Sequence, residues 1–199
     1  MEAAKTDQES GEETAPKKRE LVQQEKKGLQ IRDILLIGIL LASGAVLRFF
    51  VGTIINFGMK PNFVIAMYCL TILLIKPRLR EAAIIGLLAG AVCQFFPGQP
   101  YLNILSELIG ALAMGLLIKI PMEKIKIPIK PLLSTFISTL VSGFTFIGAM
   151  YLLYYVRPGV LIGSPTPLAI FMAIIFGTAF MNAVIVQILY IPLKLVLKK

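Results

Sequence analysis

Apolar residues gather into six stretches along the chain, Ile31 to Ile55, Asn62 to Ile75, Ala82 to Phe96, Tyr101 to Ile118, Leu132 to Val156 and Leu168 to Leu193, with short polar segments between them. A helix needs about 20 such residues to cross a hydrocarbon core roughly 30 Å thick. Six membrane-spanning helices are therefore expected, an all-α integral membrane protein. The second and third runs are short and could instead form a re-entrant hairpin tipped by Lys76-Pro77-Arg78-Leu79-Arg80. Three cations at a buried tip argue against that arrangement. Two domains follow: a polar tail over residues 1–30, read as disordered and cytoplasmic, and a six-helix membrane domain over 31–199.

Turn residues fit the same map. Pro61 opens the second run, Pro97-Gly98-Gln99-Pro100 makes a tight turn, and Arg157 to Pro167 forms a Pro/Gly-rich loop long enough to act as a lid. Pro121 and Pro128 break the loop after the fourth run, and Pro192 falls near the end of the sixth. The tail has no apolar core or small-residue cleavage site, so it is not a secretory signal.

The 199 residues are 57% hydrophobic and carry a net charge of +9, which alone would suit a nucleic-acid binder. Its distribution says otherwise. Residues 1–30 hold six Lys/Arg against seven Asp/Glu, and the excess lies between the apolar runs, where it sets topology. With the N-terminus cytoplasmic, 17 of the 20 basic residues fall inside, leaving Arg48, Lys60 and Arg157 in or near the outer half. Both termini are then cytoplasmic. Tyr151, Tyr154 and Tyr155 at the outer end of the fifth run fit an interfacial aromatic belt.

Catalysis has little to work with. The chain has no histidine, hence no Ser-His-Asp triad or His metal site, and it lacks a G-x-x-x-x-G-K-[ST] phosphate loop, H-E-x-x-H and G-x-S-x-G. No cofactor or metal is expected, and uphill transport would need energy from partner subunits. Cys69 and Cys93 lie inside apolar runs and read as packing residues.

Small residues recur at four-residue spacing: Gly38 and Ala42; Ala82, Gly86 and Gly90; Ala169, Ala173 and Gly177. The last two rows are expected to pack within the bundle. Gly38 and Ala42 are instead candidates for contact with a partner subunit. Ser134, Ser138 and Ser142 form a hydroxyl row suited to interhelical hydrogen bonds. Ionisable groups at membrane depth are candidates for function by default, and two qualify, Arg48 and Glu107. Glu107 sits roughly 9 Å along its helix from the outer turn, and Arg48 at similar depth, so the two can reach each other. They form either a structural ion pair or a site for a zwitterion, with Arg48 or Lys60 holding a carboxylate and Glu107 an ammonium. Asn62, Gln99, Asn103 and Asn182 lie nearby, and an amide in a span must find a partner or a ligand.

About 200 residues, six spans, a small-residue first span and no nucleotide motif resemble the substrate-binding S component of an energy-coupling factor (ECF) transporter. The resemblance is closest to the tryptophan-transporter TrpP group. It rests on Gly58-Met59-Lys60-Pro61-Asn62-Phe63, on Phe96-Pro97-Gly98-Gln99 with Asn103, and on Asn182 to Pro192 with its Leu-Tyr-Ile-Pro ending. Asn62, where the group usually has an aspartate, and Ser106-Glu107, in place of an Asp-Lys pair, depart from its pattern. The resemblance implies a binder of tryptophan or a related nutrient that works with a transmembrane coupling subunit and two cytoplasmic ATPases. The site it implies uses Arg48 and Lys60 for anionic groups, Asn62, Gln99, Asn103 and Glu107 for polar or cationic groups, and Phe96, Tyr101 and Tyr151 as walls. The rival reading is a structural or regulatory membrane subunit without a small-molecule substrate.

Overall fold

A computed structural model describes residues 28–54, 61–97, 99, 101–121, 129–157 and 167–197. Six helices follow one another: α1 (Ile31–Ile54), α2 (Val64–Ile75), α3 (Leu79–Cys93), α4 (Leu102–Leu117), α5 (Lys130–Val156) and α6 (Leu168–Leu197). No strand occurs among the described residues. Residues 1–27 of the polar tail, Lys60 and most of the loop after Arg157 lie outside them.

Three helices, Ile31–Val51 of α1, α5 and α6, are long and apolar enough to cross a membrane. The others have 12, 15 and 16 residues, or about 18 to 24 Å at 1.5 Å per residue. Their shortness has a physical counterpart in α2, which packs against all five other helices and is buried along nearly its whole length. An element sheathed by its neighbours need not match the lipid thickness. The outer helices carry the opposite character. Ile34, Leu35, Ile39, Phe49 and Phe50 of α1, and Phe176, Phe180 and Ile188 of α6, are exposed. In water such a surface is a liability; against acyl chains it costs nothing.

The expected boundaries hold to within two residues except for α3 and the end of α6. The third helix was expected from Ala82 but begins at Leu79, because Glu81 reaches back and its Oε2 accepts the Arg78 backbone N–H at 2.8 Å, satisfying an orphan donor of the first turn. It stops correspondingly earlier, at Cys93. At the far end of α4, Lys130 Nζ donates to the carbonyls of Ile118 (2.7 Å) and Ile120 (2.8 Å), closing that terminus from the start of α5. Pro192 does not end α6, which runs on to Leu197.

Of the small-residue rows, that of α3 packs as expected. A Cβ placed on Gly86 would lie 2.7 Å from the Glu107 carbonyl, and one on Gly90 would lie 2.6 Å from Ile104 Cα, so α3 and α4 touch backbone to backbone. The row on α6 is a correction. Ala169, Ala173 and Gly177 were expected inside the bundle, but all three are exposed, and a Cβ on Gly177 meets nothing within 4 Å. The buried face of α6 is instead Phe171, Ile175, Thr178, Ala179, Asn182 and Val186. Gly38 and Ala42 are exposed on α1, and a Cβ on Gly38 also meets nothing.

Candidate functional site

The antiparallel run of the chain brings the C-terminal part of α1, the entry to α2, the end of α3 and the start of α4 to one end of the bundle. There the polar side chains converge. Arg48 is 6% exposed and Glu107 is 1% exposed. Burying two ions in such a place is costly unless each is hydrogen-bonded, and each is.

Arg48 Nη1 donates to Cys93 Sγ at 2.7 Å, and the guanidinium carbon lies 5.1 Å from the centre of the Phe96 ring. Asn62 is the hub. Its Nδ2 donates to Glu107 Oε1 and lies 3.6 Å from Cys93 Sγ, while its Oδ1 accepts the Val64 N–H at 3.2 Å, turning the chain into α2. Ser142 Oγ donates to Glu107 Oε2 at 3.2 Å from α5. Asn182 Nδ2 on α6 donates to the Asn62 carbonyl at 3.1 Å. The opposite charges are thus joined through Cys93 and Asn62, with all six helices contributing a residue. Two buried polar atoms here have no hydrogen-bond partner among the described residues: Arg48 Nε and Asn182 Oδ1. Groups left in that state at membrane depth are reserve donors and acceptors.

Other predicted residues are distributed around this cluster. Asn103 is buried one turn before Glu107 on α4, and its carbonyl accepts the Ser106 hydroxyl at 3.3 Å. Gln99 is half-buried in the turn between α3 and α4. Tyr101 is 75% exposed in a left-handed conformation (φ 64°), its N–H donating to Gln94 Oε1 at 3.3 Å, which puts its ring outside the buried cluster. Tyr151 is half-buried and packs edge-on against Phe171, in a second apolar cluster with Leu102, Ile147 and Met150. Lys60 lies outside the described residues.

Cys69 and Cys93 pack in the apolar core, as read from the sequence, and both also hydrogen-bond: Cys93 Sγ accepts from Arg48, and the Cys69 thiol donates to Ser138 Oγ at 3.4 Å. Tyr68, fully buried in α2, was missed. The single aromatic residue in the run Val64–Ile75 was the available signal. The serine row behaves as expected at two positions: Ser142 reaches Glu107 and Ser138 donates to the Gly110 carbonyl at 2.9 Å, while Ser134 bonds its own helix.

An apolar helical bundle that buries an arginine and a glutamate among amides and hydroxyls has the make-up of a membrane protein that handles a small polar solute. Comparison with known proteins narrows that class. The chain belongs to the tryptophan transporter family TrpP, whose profile, described as "Tryptophan transporter TrpP", matches residues 30–198. It is 27% identical over 170 residues to a protein of Clostridium acetobutylicum described as "Probable tryptophan transport protein", an alignment covering 83% of this chain and 94% of that one. No solved structure matches. The chain is accordingly a multi-pass protein of the cell membrane, in a family of transporters.

Proposed function

We propose that this protein is the membrane-embedded substrate-binding subunit of an ECF-type uptake transporter for tryptophan, and that Arg48 and Glu107 hold the two charged ends of the amino acid. The observation that carries the reading is the indirect link between them. A cation and an anion joined through a thiol and an amide leave room in the electrostatics for a ligand that offers a carboxylate to one and an ammonium to the other. The carboxylate takes donors from Arg48, whose Nε is spare. The ammonium lies against Glu107 with Ser142 behind it. Asn62, bonded to Glu107, Cys93 and Asn182, reports on both halves. Phe96, already over the guanidinium, supplies an aromatic face for the indole. Gln99, Asn103, Tyr101 and Tyr151 line the approach, and Lys60 is a second candidate, from the sequence, for the anionic group.

In this reading all six helices cross the bilayer, both termini are cytoplasmic, and the site opens outward. The 17 basic residues on the inner side support that orientation. Residues 1–30 form a separate cytoplasmic tail. No chemistry is done on the substrate, and no cofactor takes part. Energy comes from a transmembrane coupling subunit and two cytoplasmic ATPases, with the exposed Gly38 and Ala42 face of α1 as the contact surface, and toppling of the subunit releases substrate inside.

The chain contains no tryptophan, so indole emission comes from ligand alone. Purified, ligand-stripped protein titrated with L-tryptophan should give saturable 1:1 binding. A folded protein with no saturable response would end the tryptophan assignment.

A further inference from the structure

At the opposite end of the bundle from Arg48 and Glu107, a groove of about 170 Å³ opens between α2 and α6, lined by Leu73, Leu74, Lys76, Tyr190, Lys194 and Leu197. Its walls are leucines and the Tyr190 ring, and its two charged groups are both cations. Lys194 Nζ sits 5.3 Å from the centre of the Tyr190 ring, which keeps the ammonium at the groove. Lys76 is fixed by its backbone. It terminates α2 in the left-handed conformation (φ 51°, ψ 58°) with its N–H on the Ile72 carbonyl. Glycine or asparagine adopts that conformation at less cost, so a lysine there is a backbone expense that a ligand contact would justify.

The surroundings reinforce the positive charge. Arg32 Nη2 donates to the Leu197 carbonyl at the groove wall, at 3.4 Å. Among the described residues, the two acids of this end serve as helix caps: Asp33 accepts the Gln30 N–H and Glu81 the Arg78 N–H. In sequence, Lys198 and Lys199 follow directly. From the groove, exposed Ile191, Leu195 and Val196 continue the apolar surface along α6.

We propose that this groove binds an anionic diacyl phospholipid, with Lys76 and Lys194 on its headgroup phosphate and the acyl chains along Leu73, Leu74, Leu197 and the adjoining face of α6. Two cations above an aliphatic cleft at the end of a membrane bundle match a ligand that is anionic at its head and apolar below it. A free phosphate would gain nothing from the leucines. The site goes beyond substrate binding and requires only that this end of the bundle lie at a membrane surface.

The test is native mass spectrometry on the full chain, incubated in detergent with dioleoyl phosphatidylglycerol or with dioleoyl phosphatidylcholine. One phosphatidylglycerol should be retained in preference to phosphatidylcholine. Retention should fall roughly fivefold for each lysine removed, in Lys194→Gln and in Lys76→Gln/Lys194→Gln. Both side chains flank a surface groove, and unchanged helical circular dichroism with an unchanged tryptophan titration would show that the fold and the other end are intact. Should the double variant not fold, Lys194→Gln alone carries the comparison. Equal retention of the two lipids, or retention of phosphatidylglycerol unaffected by the substitutions, would overturn the proposal. So would displacement of the lipid by an equal concentration of glycerol phosphate, which would make the groove a soluble-phosphate site.

Discussion

Arg48 donates to Cys93 across 2.7 Å and thereby ties α1 to the last turn of α3. Sulfur is a weak acceptor beside a carboxylate, so the guanidinium is held in place without being neutralised. A carboxylate arriving at this depth competes against a thiol rather than against an established ion pair. Glu107 is in the corresponding position on the other side of Asn62, bonded to an amide and a hydroxyl.

Replacing Arg48 with alanine should therefore weaken L-tryptophan binding about 10- to 100-fold, the range expected for losing a charge-assisted hydrogen bond of about 1.5–3 kcal/mol. Tryptamine, which lacks the carboxylate, should bind both proteins equally. Indole emission reads both titrations. Tryptophan affinity within twofold of wild type in the folded variant would remove Arg48 from the site.

Glu107→Gln keeps the volume and can still accept from Asn62 through Oε1, with the Ser142 bond reversed so that Nε2 donates to its hydroxyl, but it removes the charge. Tryptophan should bind about 10- to 100-fold more weakly, because a charged hydrogen-bond partner of the ammonium is gone. Indole-3-propionate, a carboxylate without an ammonium, should lose nothing, and the pair of ligands separates a specific effect from a general loss of fold. If both ligands weaken in parallel, Glu107 is a structural residue and the zwitterion model fails.

Asn182 presents a different kind of dependence, since it touches the site through the Asn62 backbone. Asn182→Leu leaves that carbonyl without its partner and should cost about 1–3 kcal/mol of stability, the penalty for stranding a buried acceptor. Thermal unfolding in detergent should show a lower midpoint. Tryptophan affinity should fall as well, because Asn62 loses the contact that positions it. A variant as stable as wild type would mean that the Asn62 carbonyl finds another donor.

Much of this arrangement was legible beforehand, and the gaps have physical causes. Long apolar runs mark helices whatever their partners, so all six were found. Their ends depended on capping, and the reach of Glu81 back to Arg78 moved α3 by three residues. Arg48 and Glu107 stood out because charge in an apolar run is rare. The hydrogen bond to Cys93 did not, since a buried cysteine usually packs, as this one does, and only its neighbours show what else it contacts. The α6 row Ala169, Ala173 and Gly177 misled for a related reason: four-residue spacing identifies a helix face but not what that face meets. The bulkier face through Ile175 and Asn182 turned inward, and neither face could be chosen without the positions of α2 and α5.

That ambiguity makes glycines on two faces a discriminating pair. Gly86 lies against α4, where a Cβ would already be 2.7 Å from both the Glu107 carbonyl and Ala111 Cβ, so Gly86→Leu forces the two helices apart just where Glu107 is held. Loss of folded protein, and of tryptophan binding with it, is the expected result. Gly38 has nothing within 4 Å of its Cβ position, and Gly38→Leu should leave the bundle and the tryptophan titration unchanged. If the α1 face docks the coupling subunit, the added side chain obstructs that close approach. The variant should then bind tryptophan normally in detergent yet fail to co-purify with the ATPase complex and fail to support uptake by cells. Normal uptake with Gly38→Leu would move the contact surface away from Gly38 and Ala42, while leaving the binding site at Arg48 and Glu107 untouched.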